Sequence, residues 1–325
     1  LAGLRRGRDA RPRADDDGGL KVEPCPALII LMAMTATMSS EYADFFKNST
    51  KAENDAANKR REAILLTLYD IELPSDTPAP IRNLQESWRT TIRSLCPMEF
   101  STVKVIKKGG RSNNYDFFIE YFSVDGRPIY SQKAEFKHGA SSIEAQPQFL
   151  SLASKGLLFP LSYPEFYYDG YLTAYCASDT SITESLPARD DYLARIHGCD
   201  YDTHPFFRTL YDRELTNKKA KATVVNQSIR AYLEAYGDKC DVAQLTAKLL
   251  ETQADKVFLL WDMRAAVFHV ARLTATDLTP TEYRGVDKGN TIVYATETYL
   301  LKLLLRWKNH KGILYPAWQI SLKRR

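Results

Sequence analysis

The chain has 325 residues, 44% hydrophobic and 26% charged, with 44 Lys and Arg against 40 Asp and Glu for a formal charge of +4. That balance excludes a disordered polyelectrolyte, supplies enough apolar material for a core, and is too mild to establish a nucleic-acid partner from its sum. The five cysteines (Cys25, Cys96, Cys176, Cys199, Cys240) are scattered without a CxxC pair, which argues against a disulfide framework and fits a reducing compartment, cytoplasmic or nuclear.

The chain opens LAGLRRGRDARPRADDDGG, where arginines alternate with Gly, Ala and Pro before an aspartate run. No hydrophobic period runs through it, so residues 1–40 are expected to be a disordered or non-native tail, with Met38 of MSSEYADFF as a candidate start. The apolar run Ala27–Met34 is far shorter than the roughly 20 residues that span a bilayer. Neither secretion nor membrane insertion is expected.

Residues 51–70 read as a helix that begins polar and ends amphipathic. Pro74, Pro78 and Pro80 mark a loop, and a second helix is expected over Asn83–Leu95, ending before Pro97. Phe100–Ile106 alternates like a strand, and Lys107–Arg111 reads as a turn. Two β-rich runs follow, Asn114–Ser123 and Ile129–His138, separated by Val124-Asp125-Gly126-Arg127. Asp-Gly between strand patterns is a strong hairpin signal. Pro147 is placed to start a helix ending at Gly156. Residues 160–255 read as mostly helical, with tyrosine-rich loops. Strand patterns return at Lys256–Trp261, Val267–Leu273 and Thr291–Tyr294. A leucine-rich helix is expected over Glu297–Trp307, and a last strand over Ile313–Leu322.

With Asp125-Gly126 as the hairpin loop, Val124 pairs with Arg127, Asp116 falls opposite Glu135, and Asn114 falls opposite Lys137. Opposed and alternate residues share a sheet face, so Asp116, Glu135 and Lys137 converge, the opposed Cα atoms about 4.5–5.5 Å apart. The other face carries Tyr115, Phe117, Ile119 and Tyr121 against Tyr130, Ala134 and Phe136, an apolar surface for helices to cover. Two carboxylates so placed suit a hard cation such as Mg²⁺, and a neighbouring lysine suits a water or a phosphate under attack. A solvated sheet face, with Lys133, Glu135, Lys137 and Asp116 in surface ion pairs of little worth, is the competing interpretation.

Asp116 followed after a hairpin by Glu135-Phe136-Lys137 resembles the active-site signature of the PD-(D/E)xK nucleases, the restriction-endonuclease-like superfamily. The preceding helix, the hairpin and the helix expected after the lysine match the order of that fold's αβββαβ core, over roughly Lys51–Lys155. The resemblance implies that Asp116 and Glu135 bind Mg²⁺, with Mn²⁺ as a substitute, and that Lys137 assists the attacking water. Tyr115 stands where the superfamily often has proline. Some members add a helical acid, for which Glu62 is the candidate with Glu53 behind it, and some carry a glutamine after the lysine, where Gln146 and Gln148 lie.

Other signals are weaker. Residues from His197 through Cys199, Asp200 and Asp202 to His204 gather metal-ligand types, but at no familiar zinc spacing. His269 in AVFHVARL reads as a packed or hydrogen-bonded sheet histidine rather than a catalyst. Lys107, Lys108 and Arg111, and Lys308 and Lys311 near the basic C-terminus, are candidates for nucleic-acid backbone contact or plain surface turns. The tyrosines of Tyr163–Tyr171 suit base stacking or a lobe core equally.

The expectation is an α/β protein with a mixed, restriction-endonuclease-like sheet flanked by helices and a largely helical insertion. The division is a tail (1–40), a nuclease-like core (41–159), a helical insertion or second lobe (160–255) and returning strands with a basic end (256–325). Its expected activity is Mg²⁺-dependent endonuclease cleavage of phosphodiester bonds in DNA, with RNA not excluded and a homodimer left open. The alternative is a non-catalytic nucleic-acid-binding or protein-interaction protein on the same fold.

Overall fold

The computed structural model describes residues 40–325 apart from 51–52, 110–112, 146–149, 154–157, 179–181, 183, 197–203, 213–217 and 311–312. Helices α1 (Ser40–Phe46), α2 (Asn54–Asp70) and α3 (Ala79–Ser94) precede a meander of β1 (Thr102–Lys107), β2 (Phe117–Phe122) and β3 (Pro128–His138). A short strand β4 (Leu150–Ala153) leads to a helical stretch: α4 (Tyr163–Gly170), α5 (Leu172–Ala177), α6 (Arg189–Arg195), α7 (Pro205–Asp212), α8 (Lys218–Tyr236) and α9 (Val242–Leu249). A π turn at Leu250–Ala254 delivers β5 (Lys256–Asp262) and β6 (Val267–Arg272). Helix α10 (Ala275–Leu278) then precedes β7 (Glu282–Asp287), β8 (Thr291–Ala295), β9 (Tyr299–His310) and β10 (Ile313–Arg324).

The strands form two five-stranded sheets, one mixed in the order β1-β2-β3-β5-β6 and one antiparallel in the order β4-β10-β9-β8-β7. In the first, β3 and β5 are parallel and every other pair is antiparallel. Strand β5 is nearly all apolar because both of its faces are covered, as parallel strands require. Val257, Leu259 and Trp261 join the core under α1–α3, whereas Phe258 and Leu260 join the core beneath the helical stretch and the second sheet.

Helix α3 starts behind Pro78 with Pro80 in its first turn and buries Ile81, Leu84, Trp88 and Ile92 at helical spacing. Its Gln85 amide donates to the carbonyls of Leu68 and Ile71, closing the end of α2. The aromatic stretch from Tyr163 serves a core: Tyr163 and Tyr167 are buried, and the Tyr163 hydroxyl accepts from Trp307 Nε1 at 2.9 Å. Among the described residues no helix is long and apolar enough to cross a membrane.

Two expected helices are corrected to strands. Residues Leu150–Ala153 pair with β10, Leu150 opposite Ile320, instead of continuing a helix from Pro147. Residues Tyr299–His310 form β9 between β8 and β10. There Leu301, Leu303 and Leu305 alternate inward and are fully buried, so the leucine run obeys a period of two. Strand β7 escaped the sequence reading because EYRGVD lies at a sheet edge and is largely exposed.

Candidate active site

The β2–β3 hairpin keeps the expected register from Phe117 opposite Ala134 to Tyr121 opposite Tyr130, then shifts so that Phe122 faces Pro128. The turn is wider than a two-residue loop, with Ser123 N–H donating to the Arg127 carbonyl and Gly126 at φ +78°. Phe117, Ile119, Tyr121, Ala134 and Phe136 all enter the core under α1–α3, so the other side of β3 is left for Glu135 and Lys137.

The alternation does not extend back through Tyr115. Instead of joining the apolar face, its ring tilts against Phe118 at 6.4 Å, with the Lys133 ammonium 5.6 Å from its centroid. Asn114, expected opposite Lys137, is tied to the turn before β5: its amide donates to the Thr252 carbonyl at 2.6 Å. Both residues precede the ladder, where strand geometry no longer dictates direction.

Asp116 sits at the mouth of β2. Its N–H donates to the Ala134 carbonyl at 3.0 Å, and its Oδ2 accepts the Phe136 N–H at 2.8 Å. The β1–β2 connection closes on it, with Lys108 N–H on the Asp116 carbonyl and Gly109 N–H, at φ +53°, on that of Tyr115.

Glu135 is buried on β3 with both carboxylate oxygens occupied. Lys137 Nζ holds Oε1 and Lys256 Nζ holds Oε2. Lys256 opens β5, where the parallel register sets it opposite Lys133. Its second acceptor is the Asn114 carbonyl at 2.6 Å. Lys133, in contrast, pairs with Asp255. Sequence reading missed Lys256, since only the parallel β3–β5 pairing connects it to Glu135.

Glu62 is buried on α2, with Oε2 3.2 Å from Lys107 Nζ, which also donates to the Lys59 carbonyl. Lys107 is thus engaged inward, whereas Lys108 is exposed. Lys308 lies on β9 opposite Tyr315. Arg111, Lys311, Gln146 and Gln148 lie outside the described residues, as do His197, Cys199, Asp200 and Asp202. His204 Nε2 lies 2.9 Å from Asp191. His269 lies on the exposed side of β6, 3.7 Å from Asp262, rather than packed within the sheet. Glu53 accepts from the Thr50 hydroxyl at 2.8 Å.

Burial pushes the Asp116 carboxyl up to about 6, and the negative charges of Glu62 and Glu135 push the same way; the Phe136 N–H and Lys137 oppose them. Burial pulls the Lys256 ammonium down from its ordinary value, an effect countered by Glu135. The charges of Glu62 on α2 and Glu135 on β3 thus reach Asp116 at the mouth of β2.

Among the described residues no three His, Cys, Asp or Glu side chains cluster tightly enough to hold a metal by themselves. Mg²⁺ ordinarily takes one or two carboxylates and keeps several waters, so a smaller donor set is sufficient. The chemistry of the set fits such a cation: hard oxygens, and an Asp116 raised mainly by burial and further by the charges of Glu62 and Glu135, which a cation would offset. Each Glu135 oxygen holds one lysine and keeps a second lone pair, so Glu135 can join such a donor set with its lysines in place. No family model matches this chain, and no curated protein or solved structure matches it significantly.

Proposed function

We propose that this chain is a metal-dependent nuclease of the PD-(D/E)xK kind that hydrolyses phosphodiester bonds in DNA, with RNA as the second substrate class. The observation that carries the reading is the Lys137–Glu135 ion pair beside Asp116, made from residues at the D…ExK spacing. The order of elements supports it: a helix, three antiparallel strands, a helical crossover and a strand returning parallel to the third. The crossover comes from the stretch after residue 160, however, and not from a helix directly behind Lys137.

Asp116 and Glu135, with Glu62 behind them, would hold Mg²⁺, which supplies Lewis-acid charge and a more acidic water when bound. Lys137 brings an ammonium to the place where the water and the phosphoryl oxygens meet, and can orient the one or stabilise charge on the other. Lys256 fixes the second oxygen of Glu135, so the carboxylate keeps its orientation while Lys137 turns toward substrate.

One observation favours a non-catalytic nucleic-acid-binding protein on the same fold: both oxygens of Glu135 are already taken by lysines. The Asp116→Ala variant separates the two. For a nuclease it abolishes cleavage while DNA binding stays equal or strengthens. Binding by wild-type protein with no cleavage under any divalent metal would favour the binding-only protein.

A further inference from the structure

A cleft of about 510 Å³ opens where the C-terminal ends of the parallel strands β3 and β5 meet the beginning of α2. The carboxyl ends of parallel strands are the usual place for a ligand in an α/β sheet, and the volume is in the range of small-molecule pockets. Its walls include Arg61, Lys137, His138, Asn58 and Ser49, and among the described residues no Asp or Glu contributes to them.

Arg61 is the unusual member. Only 2% of it is exposed, yet its described partners are all neutral: the Phe45 carbonyl at 3.3 Å, the Lys47 carbonyl, and Asn58 Oδ1 at 2.9 Å. Among the described residues no carboxylate lies within ion-pair distance of its guanidinium; Asp44, whose charge reaches it from farther off, pairs with Lys47 and Arg60. Buried charges are ordinarily paired, and a guanidinium has five donors, so two N–H groups remain beyond these three bonds. A buried guanidinium with N–H groups to spare, the Lys137 ammonium with donors beyond its Glu135 contact, and a ring of amides and a hydroxyl suit a tetrahedral oxyanion.

We propose that this cleft is a phosphate-binding pocket, taking a phosphate group next to Lys137 with Arg61 as its buried counter-charge. That the phosphate belongs to a nucleic-acid strand rests on the nuclease reading; the binding of phosphate does not.

The test is calorimetric titration of inorganic phosphate into the full chain in EDTA, so that cleavage plays no part. Saturable binding is expected, weakened about tenfold or more by Asn58→Asp, which supplies Arg61 with the carboxylate it lacks. This substitution conserves shape, and a melting curve matching wild type shows that the fold is retained; Arg61→Gln is the companion variant. No saturable binding by wild-type protein, or binding unchanged in a folded Asn58→Asp variant, overturns the proposal. Competition by oligonucleotides then identifies the source. A 5′-phosphorylated strand that outcompetes its 5′-hydroxyl twin assigns the pocket to a terminal phosphate, and equal competition assigns it to the backbone. Competition by neither, with inorganic phosphate still bound, assigns it to a small free phosphate compound. Phosphate binding without nucleic-acid cleavage would sink the nuclease reading alone, and cleavage without phosphate binding would sink this pocket alone.

Discussion

Lys256 Nζ is seated on Glu135 Oε2 within the β3–β5 parallel pair, and the Lys256 side chain is 1% exposed. The same carboxylate takes Lys137 on its other oxygen. One ammonium is sequestered and the other is partly open, which divides the work: Lys256 holds the carboxylate, and Lys137 is the lysine that substrate can reach.

Removing Lys256 leaves Glu135 short of a partner and the Asn114 carbonyl without its donor. Breaking a buried pair from one side costs about 3–5 kcal/mol. We expect Lys256→Met to lower the urea midpoint accordingly, with part of the loss recovered in the Lys256→Met/Glu135→Gln double variant. Additive single and double losses would show that the pair is not coupled.

Stability should carry two opposed pH signatures. Asp116 titrates near 6 in the native protein against an ordinary 3.8, so the folded state keeps a proton that the unfolded chain has shed between those values. Its contribution therefore declines as pH rises from about 4 to about 6 and is constant above. Burial brings the His138 imidazole down from 6.5 to about 4, so its contribution is full above its ordinary value and is lost as pH falls toward 4. Asp116→Asn removes the first signature and spares the second. The variant is expected to be more stable than wild type near neutral pH by about 1–3 kcal/mol, at roughly 1.4 kcal/mol per pKa unit. It should also lose stability more steeply on acidification, as measured by urea unfolding across the range. Parallel pH profiles for the two proteins would contradict this assignment.

The parts legible from sequence were those specified by local pattern. Asp125-Gly126 and the alternation of Phe117, Ile119 and Tyr121 brought out the hairpin, and Lys256–Trp261 read as a strand, though its burial on both faces appears only in the fold. Leu300, Leu301, Leu303, Leu304 and Leu305 satisfy a helical period as readily as a strand period, and pairing with β8 and β10 decides between them. Likewise Pro147 is a valid helix signal, but Leu150–Ala153 gains hydrogen bonds from β10, far along the chain. Glu62 could be nominated only because the resemblance implies a helical acid and the helix before the hairpin carries it. Lys256 could not, since 121 residues separate it from Glu135 and no local motif marks it.

A cation at the site should register without any catalysis. Mg²⁺ bound by the native state alone raises the melting temperature, by an amount equivalent to about 1–3 kcal/mol at concentrations well above its Kd. The rise should be larger near neutral pH than near pH 5, where Asp116 is mostly protonated, and smaller in Asp116→Asn and Glu62→Gln. A Mg²⁺-independent melting temperature in the wild type would remove the metal from the account.

The most direct test of the central claim is cleavage of plasmid and single-stranded substrates, DNA and RNA, by wild-type protein and Lys137→Ala in Mg²⁺, Mn²⁺ or EDTA. The account predicts cutting with either metal, none in EDTA, and a loss of about a hundredfold or more in Lys137→Ala. Cutting by Lys137→Ala at the wild-type rate, or none by the wild type on any substrate, would contradict it.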